Sequence, residues 1–319
     1  AVVAADALQQ GDGGRITLWS DQSTRVYGSL SARGGAAGGQ GGWIETSGGW
    51  LDARPARIDV GSPKDRPGTW LLDPYDLTIS DSVPDAGVDA GFTATGNNAT
   101  LSSASIRAAL DAGTNVTVST GGAGGNQSGD LVVDGANLTT SASSPGSLTL
   151  VADRHLDIRN GAELGSSFLS PVNLTLEAGR SGTGGLTITD SYLFTGGRIS
   201  LNARSVSLLG ATSLYSTAQG DAIVIAGPNN SAMSQFNNAA GYAALGVSFL
   251  GRWIIYFDDP ASPSLNIGGL SYDFKRVSSA HGGWSGDYGN GLVFSKVQTA
   301  TFSGSIFSRS YDGTTDVPL

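Results

Sequence analysis

The chain contains no cysteine, a single methionine, two histidines and three lysines in 319 residues. Disulfide stapling, zinc-thiolate sites and cysteine nucleophiles are excluded, and a thiol-free chain suits export in an extended state. Charge is scarce as well: 14% of residues are charged and the net charge is −9. With Lys64, Lys275 and Lys296 as the only lysines, no nucleic-acid partner is expected. No apolar run approaches the roughly 20 residues that span a bilayer, so no transmembrane segment is expected. The first residues carry neither a basic n-region nor a continuous apolar h-region. Helical phrases are rare too. The clearest is Ser105-Ile-Arg-Ala-Ala-Leu-Asp-Ala-Gly113, where Ser105 is the expected cap, Ile106, Ala109 and Leu110 share a face, and Gly113 stops the helix.

What the chain does contain is 48 glycines, clustered with Ser, Thr, Asn and Asp between short apolar runs. Between Ser147 and Gly227 one phrase recurs four times: Ser147-Leu-Thr-Leu-Val-Ala152, Asn173-Leu-Thr-Leu-Glu-Ala178, Arg198-Ile-Ser-Leu-Asn-Ala203 and Ala222-Ile-Val-Ile-Ala226. The copies are 24 to 26 residues apart, and each places apolar residues two apart with others between. A fixed interval of this size returns the chain to the same place after one superhelical turn, which predicts a parallel β-solenoid. His155-Leu-Asp-Ile158, Leu186-Thr-Ile188 and Val206-Ser-Leu208 supply a second strand in successive coils. In-register stacking then predicts a Leu, Ile and Val interior and ladders of Thr, Ser and Asn outside.

The texture changes along the chain. Residues 1–80 hold four of six tryptophans and strand-like phrases such as Arg15-Ile-Thr-Leu-Trp-Ser20 and Arg57-Ile-Asp-Val60, read as coils. Residues 81–114 read as an insertion carrying the short helix, and residues 115–241 as coils again. From Tyr242 the period breaks and about half of the aromatics follow, which predicts a C-terminal cap over 242–310 that plugs the open end of the coil stack.

The phrases Gly41-Gly-Trp-Ile-Glu-Thr-Ser-Gly48, Gly68-Thr-Trp-Leu-Leu-Asp-Pro-Tyr-Asp76, Gly251-Arg-Trp-Ile-Ile-Tyr256, Tyr288-Gly-Asn-Gly-Leu-Val-Phe-Ser295 and Tyr311-Asp-Gly-Thr-Thr315 occur in this order. Together they resemble the filamentous-haemagglutinin-like exoproteins of two-partner secretion, over nearly the whole chain. The resemblance implies the C-terminal part of a right-handed parallel β-helix, with residues 311–319 opening a YDG-type repeat. It also implies a large Gram-negative protein, secreted or tethered at the cell surface. Its dedicated outer-membrane β-barrel transporter would act through parts outside this piece. Family members act in adhesion, aggregation and biofilm formation, among other roles.

Signals for chemistry are weak. Asp73 with Asp76, Asp85 with Asp89, and Asp258 with Asp259 are carboxylate pairs of the kind some β-helix polysaccharide-cleaving enzymes use. Turn hydrogen bonding around Pro74 and Pro260 is the preferred reading of two of them. A calcium ion at Asp258, Asp259 or Asp287 lacks the regular Gly and Asp pattern of calcium-binding repeats. His155, beside Arg154 and Asp157, reads as a hydrogen-bonded surface histidine. Sequons at Asn98, Asn115, Asn126, Asn137, Asn173 and Asn229 are what an Asn-, Ser- and Thr-rich chain produces by chance. The best candidate for recognition is the stretch holding Tyr272, Trp284, Asp287 and Tyr288. There, aromatic faces would stack on sugar rings while Asp and amide groups bond hydroxyls. A cap loop with Trp284 packed over the last coil is the competing reading.

The expected protein is thus an all-β right-handed parallel β-helix with a short helical insertion and an aromatic-rich cap, monomeric and without cofactor or metal. It is expected to be non-enzymatic and to bind extracellular polysaccharide or a cell-surface glycan. A polysaccharide-degrading enzyme and a passive stalk are the alternatives.

Overall fold

The computed structural model describes residues 1–54, 56–81, 98–121, 128–142, 146–166, 170–279 and 288–296. Among the described residues every strand pairing is parallel, and the strands form sheets of eleven, eight, five and three strands. From Ser147 the chain cycles through three of them. Ser147–Ala152 lies in the eleven-stranded sheet, Leu156–Arg159 in the eight-stranded and Glu163–Ser166 in the five-stranded. Asn173–Ala178, Leu186–Thr189 and Tyr192–Thr195 repeat the circuit one coil later. The protein is a parallel β-helix with one short helix.

The four recurring phrases stack as adjacent rungs of the eleven-stranded sheet. Leu148, Leu174, Ile199 and Ile223 form one inward column; Leu150, Leu176, Leu201 and Ile225 form the next, and all are buried. Between these columns Thr117, Thr149, Thr175 and Ser200 form an outward polar column. The alternation follows from the pleat, which sends successive side chains to opposite faces. Beyond Ser200 the same outward column continues as Val224 and Ile254, both 2% exposed. There an outer apolar cluster of Val224, Ala226, Ile254, Tyr256 and Val293 packs with Phe274 against the sheet. The fourth phrase is continuously apolar because both of its faces are covered.

The tryptophan-containing phrases also stack on each other. Ile44 pairs with Trp70 and Thr46 with Leu72 across neighbouring rungs, and the buried Trp70 indole N–H donates to Thr46 Oγ1 at 3.0 Å. Thr46 thereby satisfies the one polar atom of a fully buried tryptophan side chain.

The insertion is built differently from the expectation. The strand Asn98–Ser102 follows Asp76–Ser80 in sequence but pairs with it on the side opposite Leu131–Asp134. The chain thus steps back by one rung before the helix. That helix runs Ser103–Asp111 and its cap is Ser102, whose hydroxyl accepts the Ala104 N–H at 3.3 Å. Ser105, the expected cap, is buried inside the first turn and donates to the Ala53 carbonyl at 3.0 Å. Ser102, Ser103 and Ser105 satisfy the capping pattern equally in sequence, and only packing on the preceding coil separates them. Ile106, Ala109 and Leu110 form the buried face as expected, and Gly113 ends the helix with φ +77°. No helix among the described residues is long and apolar enough to cross a membrane.

From Tyr242 the sequence period breaks but the ladder does not. Gly251–Phe257 pairs with Gly291–Phe294, which in turn pairs with Phe274–Arg276 at the end of the eleven-stranded sheet. Trp253, Phe257 and Phe294 are buried in the core, with the rings of Phe257 and Phe294 edge to face at 6.5 Å. Tyr256 belongs to the outer cluster, whereas Tyr242, Phe249 and Tyr288 are exposed. The aromatics of this region therefore divide among interior, outer cover and surface.

Candidate functional site

Two of the four residues expected to recognise a ligand lie among the described residues. Tyr272 is 43% and Tyr288 93% exposed. Their segments are tied side by side: the Asp273 N–H donates to the Asn290 carbonyl at 2.8 Å, and the Asn290 N–H donates to Asp273 Oδ2 at 2.7 Å. Strand pairing of Phe274 with Gly291 continues this contact. Trp284 and Asp287 lie outside the described residues, as do Asp85, Asp89 and Tyr311.

A second aromatic locus has no counterpart among the residues expected from sequence. In the five-stranded sheet Leu164, Leu193, Leu214 and Leu245 point inward, so the residues following each of them share an outward row: Gly165, Phe194, Tyr215 and Gly246. The rings of Phe194 and Tyr215 stack at 5.7 Å with 13° between their planes. A Cβ on Gly246 would sit 2.6 Å from Tyr215 Cδ2, so the glycine leaves the space into which that ring leans. Tyr192, 47% exposed, stands in the next outward row between Glu163 and Ser213. The result is a flat face carrying aromatic surface bordered by a carboxylate and hydroxyls, which suits the apolar face and the hydroxyl edge of a sugar. The signal is present in Tyr192-Leu-Phe-Thr195 and Ser213-Leu-Tyr-Ser216, where aromatics fill positions that an ordinary half-buried strand gives to polar residues.

The carboxylate pairs resolve into separate roles. Asp258 accepts from Lys296 Nζ at 2.5 Å and Ser295 Oγ at 2.7 Å, and these contacts hold its carboxyl below the usual range. Asp259 accepts the Ala261 N–H at 2.9 Å, as a turn before Pro260 requires. Asp76 accepts the Asp130 N–H at 2.8 Å. The His155 ring accepts the Gly185 N–H at 3.3 Å, while Arg154 Nε donates to Asp130 at 2.8 Å. Among the described residues no three His, Asp or Glu side chains gather to hold a metal.

Asp73 is the exception. Burial first, and the nearby charge of Glu45 second, push its carboxyl above the ordinary range, with Arg180 and Ser119 pulling the other way. Its Oδ1 is buried with no hydrogen-bond partner. A group whose proton affinity rises on folding contributes stability below its unfolded pKa and loses it as pH rises through the folded pKa. Asp73→Asn is therefore expected to be more stable than wild type at neutral pH, with the two converging as the pH falls below the ordinary carboxylate range. Thermal unfolding of both proteins across that pH series checks this, and a variant less stable at neutral pH would reject the assignment.

Compared with known proteins, the sequence matches no protein-family model, and no curated protein matches it.

Proposed function

We propose that this chain is the coiled shaft and binding face of a secreted bacterial adhesin of the filamentous-haemagglutinin-like kind. It holds extracellular polysaccharide without cleaving it and so serves aggregation, surface attachment or biofilm formation. The observation that carries this reading is the stacked Phe194 and Tyr215 pair, with Tyr192 beside it, on an outward row of a flat parallel sheet. A bare scaffold would not require adjacent half-buried aromatics on an outward row, where Thr and Ser serve elsewhere in this molecule. The exposed Tyr272 and Tyr288 supply a second aromatic locus near the end of the coils. The secreted setting is supported by the resemblance that the five ordered sequence phrases carry.

The test is glycan-array and exopolysaccharide pull-down binding by wild type and by a Phe194→Ala, Tyr215→Ala double variant. Loss of both rings is expected to weaken binding on the order of tenfold. Binding that survives this change but falls with Tyr288→Ala would move the ligand to the C-terminal locus. No binding to any glycan would reduce the chain to a stalk.

Polysaccharide cleavage is the second reading, favoured by one observation: the raised carboxyl of Asp73 near Glu45 and Arg180. Release of new reducing ends, abolished in Asp73→Asn, would transfer the assignment to it.

A further inference from the structure

The outer face of the eleven-stranded sheet has a step in it. At the strand Ile199–Asn202 the outward residues are Ser200 and Asn202; from Gly220–Ala226 the same two columns continue as Val224 and Ala226, apolar and covered. At the step the chain turns through Pro228–Asn230, which stands as a wall over Ser200 and Asn202. The strands and the wall enclose two adjoining concavities of about 390 and 470 Å³ that share Asn202.

Three features of this shelf bear on what it can hold. First, most of its polar side chains are unspent: Thr175, Glu177, Ser200, Asn202, Asn229 and Asn230 line it without a side-chain hydrogen bond among the described residues, while Asn173 accepts the Arg198 N–H at 2.9 Å. In the rung below, by contrast, Ser147 Oγ donates to Asn115 Oδ1 at 2.9 Å.

Second, the arginines here make no close ion pair among the described residues, although the charge of Arg180 reaches Asp73. Arg33, Arg54, Arg154, Arg159 and Arg252 each pair with an aspartate. Arg198, on the shelf, has no side-chain partner among the described residues. Arg180, also on the shelf, has one long bond, to Ser119 Oγ at 3.4 Å, and no carboxylate within ion-pair distance among the described residues. Glu177 is the one carboxylate that lines the concavities. In a chain of net charge −9 this is a local cationic site.

Third, the wall is strained in a way that places side chains. Asn229 and Asn230 sit consecutively in the left-handed region, at φ +53° and +58°. Glycine makes such a turn without strain, whereas asparagine brings to the shelf a side-chain amide that can both donate and accept.

We propose that this shelf binds an acidic oligosaccharide, a uronate-bearing stretch of polysaccharide. The carboxylate meets the Arg198 guanidinium, and the ring hydroxyls meet the amides of Asn202, Asn229 and Asn230 and the carboxylate of Glu177. Guanidinium and carboxylate match in planar two-bond geometry, which selects an anionic sugar over a neutral one. This site rests on the polysaccharide-binding reading above but is separate from the aromatic row, which lies on another sheet.

The test uses the intact protein and calorimetric titration with an oligogalacturonate and with a neutral cello-oligosaccharide of the same length. The acidic oligomer is expected to bind more tightly, with affinity falling as salt rises. Arg198→Ala should lower that affinity about tenfold, the loss of one charge-assisted pair, with Arg198→Lys intermediate. Arg198 is exposed, so thermal unfolding of the variants should match wild type. Oligogalacturonate binding that is unchanged in Arg198→Ala overturns the shelf. Binding of the neutral oligomer alone, through Phe194 and Tyr215, overturns the shelf and leaves the general reading standing. Failure of every glycan to bind overturns both.

Discussion

Leu176→Asp is expected to disrupt the coil stack, at a cost of at least about 4 kcal/mol, because it buries an unpaired charge in a dry column. Leu176 is wholly buried between Leu150 on one rung and Leu201 on the next. A solenoid has no distant contacts with which to absorb the loss, since each coil touches only its neighbours. The damage should therefore spread outward from the middle of the stack. Leu176→Ala at the same place should cost about 2–5 kcal/mol, the range for a deleted core side chain. Thr175, one residue earlier, faces outward, so Thr175→Asp should be close to neutral. Chemical denaturation followed by far-UV circular dichroism separates the three. Equal losses for Thr175→Asp and Leu176→Asp would contradict the inward and outward alternation of the strand.

Gly68→Ala is expected to be nearly as damaging, for a different reason. A Cβ on Gly68 would lie 1.9 Å from the Gly42 carbonyl oxygen, and one on Gly42 would lie 2.1 Å from that of Gly14. These glycines precede the strands at Thr69, Trp43 and Arg15, so they stack as a column in which backbone rests on backbone. The Gly68 N–H donates to the Val60 carbonyl at 2.7 Å and the Thr69 N–H to the Gly42 carbonyl at 3.0 Å, so the chain cannot retreat without breaking both bonds. The substitution should cost about 3 kcal/mol or more, at the upper end of overpacking changes. Gly220→Ala is the control. Gly220 has φ +67°, but a Cβ added there would meet nothing within 4 Å, so only the left-handed penalty of about 1 kcal/mol applies. Similar losses at the two positions would mean that conformation, rather than close approach, explains the glycines at the starts of these strands.

Much of the eleven-stranded sheet is legible along the chain. Ser147–Ala152 and Asn173–Ala178 begin and end where the recurring phrase does, because alternation with period two marks a strand and the 24- to 26-residue interval marks its neighbour. The five-stranded sheet leaves almost no trace. Its strands are four residues or fewer, and most contribute one inward leucine, too little for a periodic pattern to rise above the turns beside it. The aromatic row is hidden in the sequence for that reason, although Phe194 and Tyr215 are visible once the register is known. The cap of the helix and the stepped-back strand Asn98–Ser102 are likewise settled by what they pack against.

The repeat, the inward columns and the absence of thiol chemistry follow from local order alone: which residues alternate, and at what interval they return. The two candidate surfaces do not. Phe194 and Tyr215 are 21 residues apart and meet because coils stack in register; Arg198, Asn202 and Asn230 meet because a turn after the fourth phrase folds back across the third. Register and the path of a turn are set by the packing of the whole coil. The order of residues along the chain therefore specified a β-helix, and only its tertiary winding decided which polar and aromatic side chains share a surface.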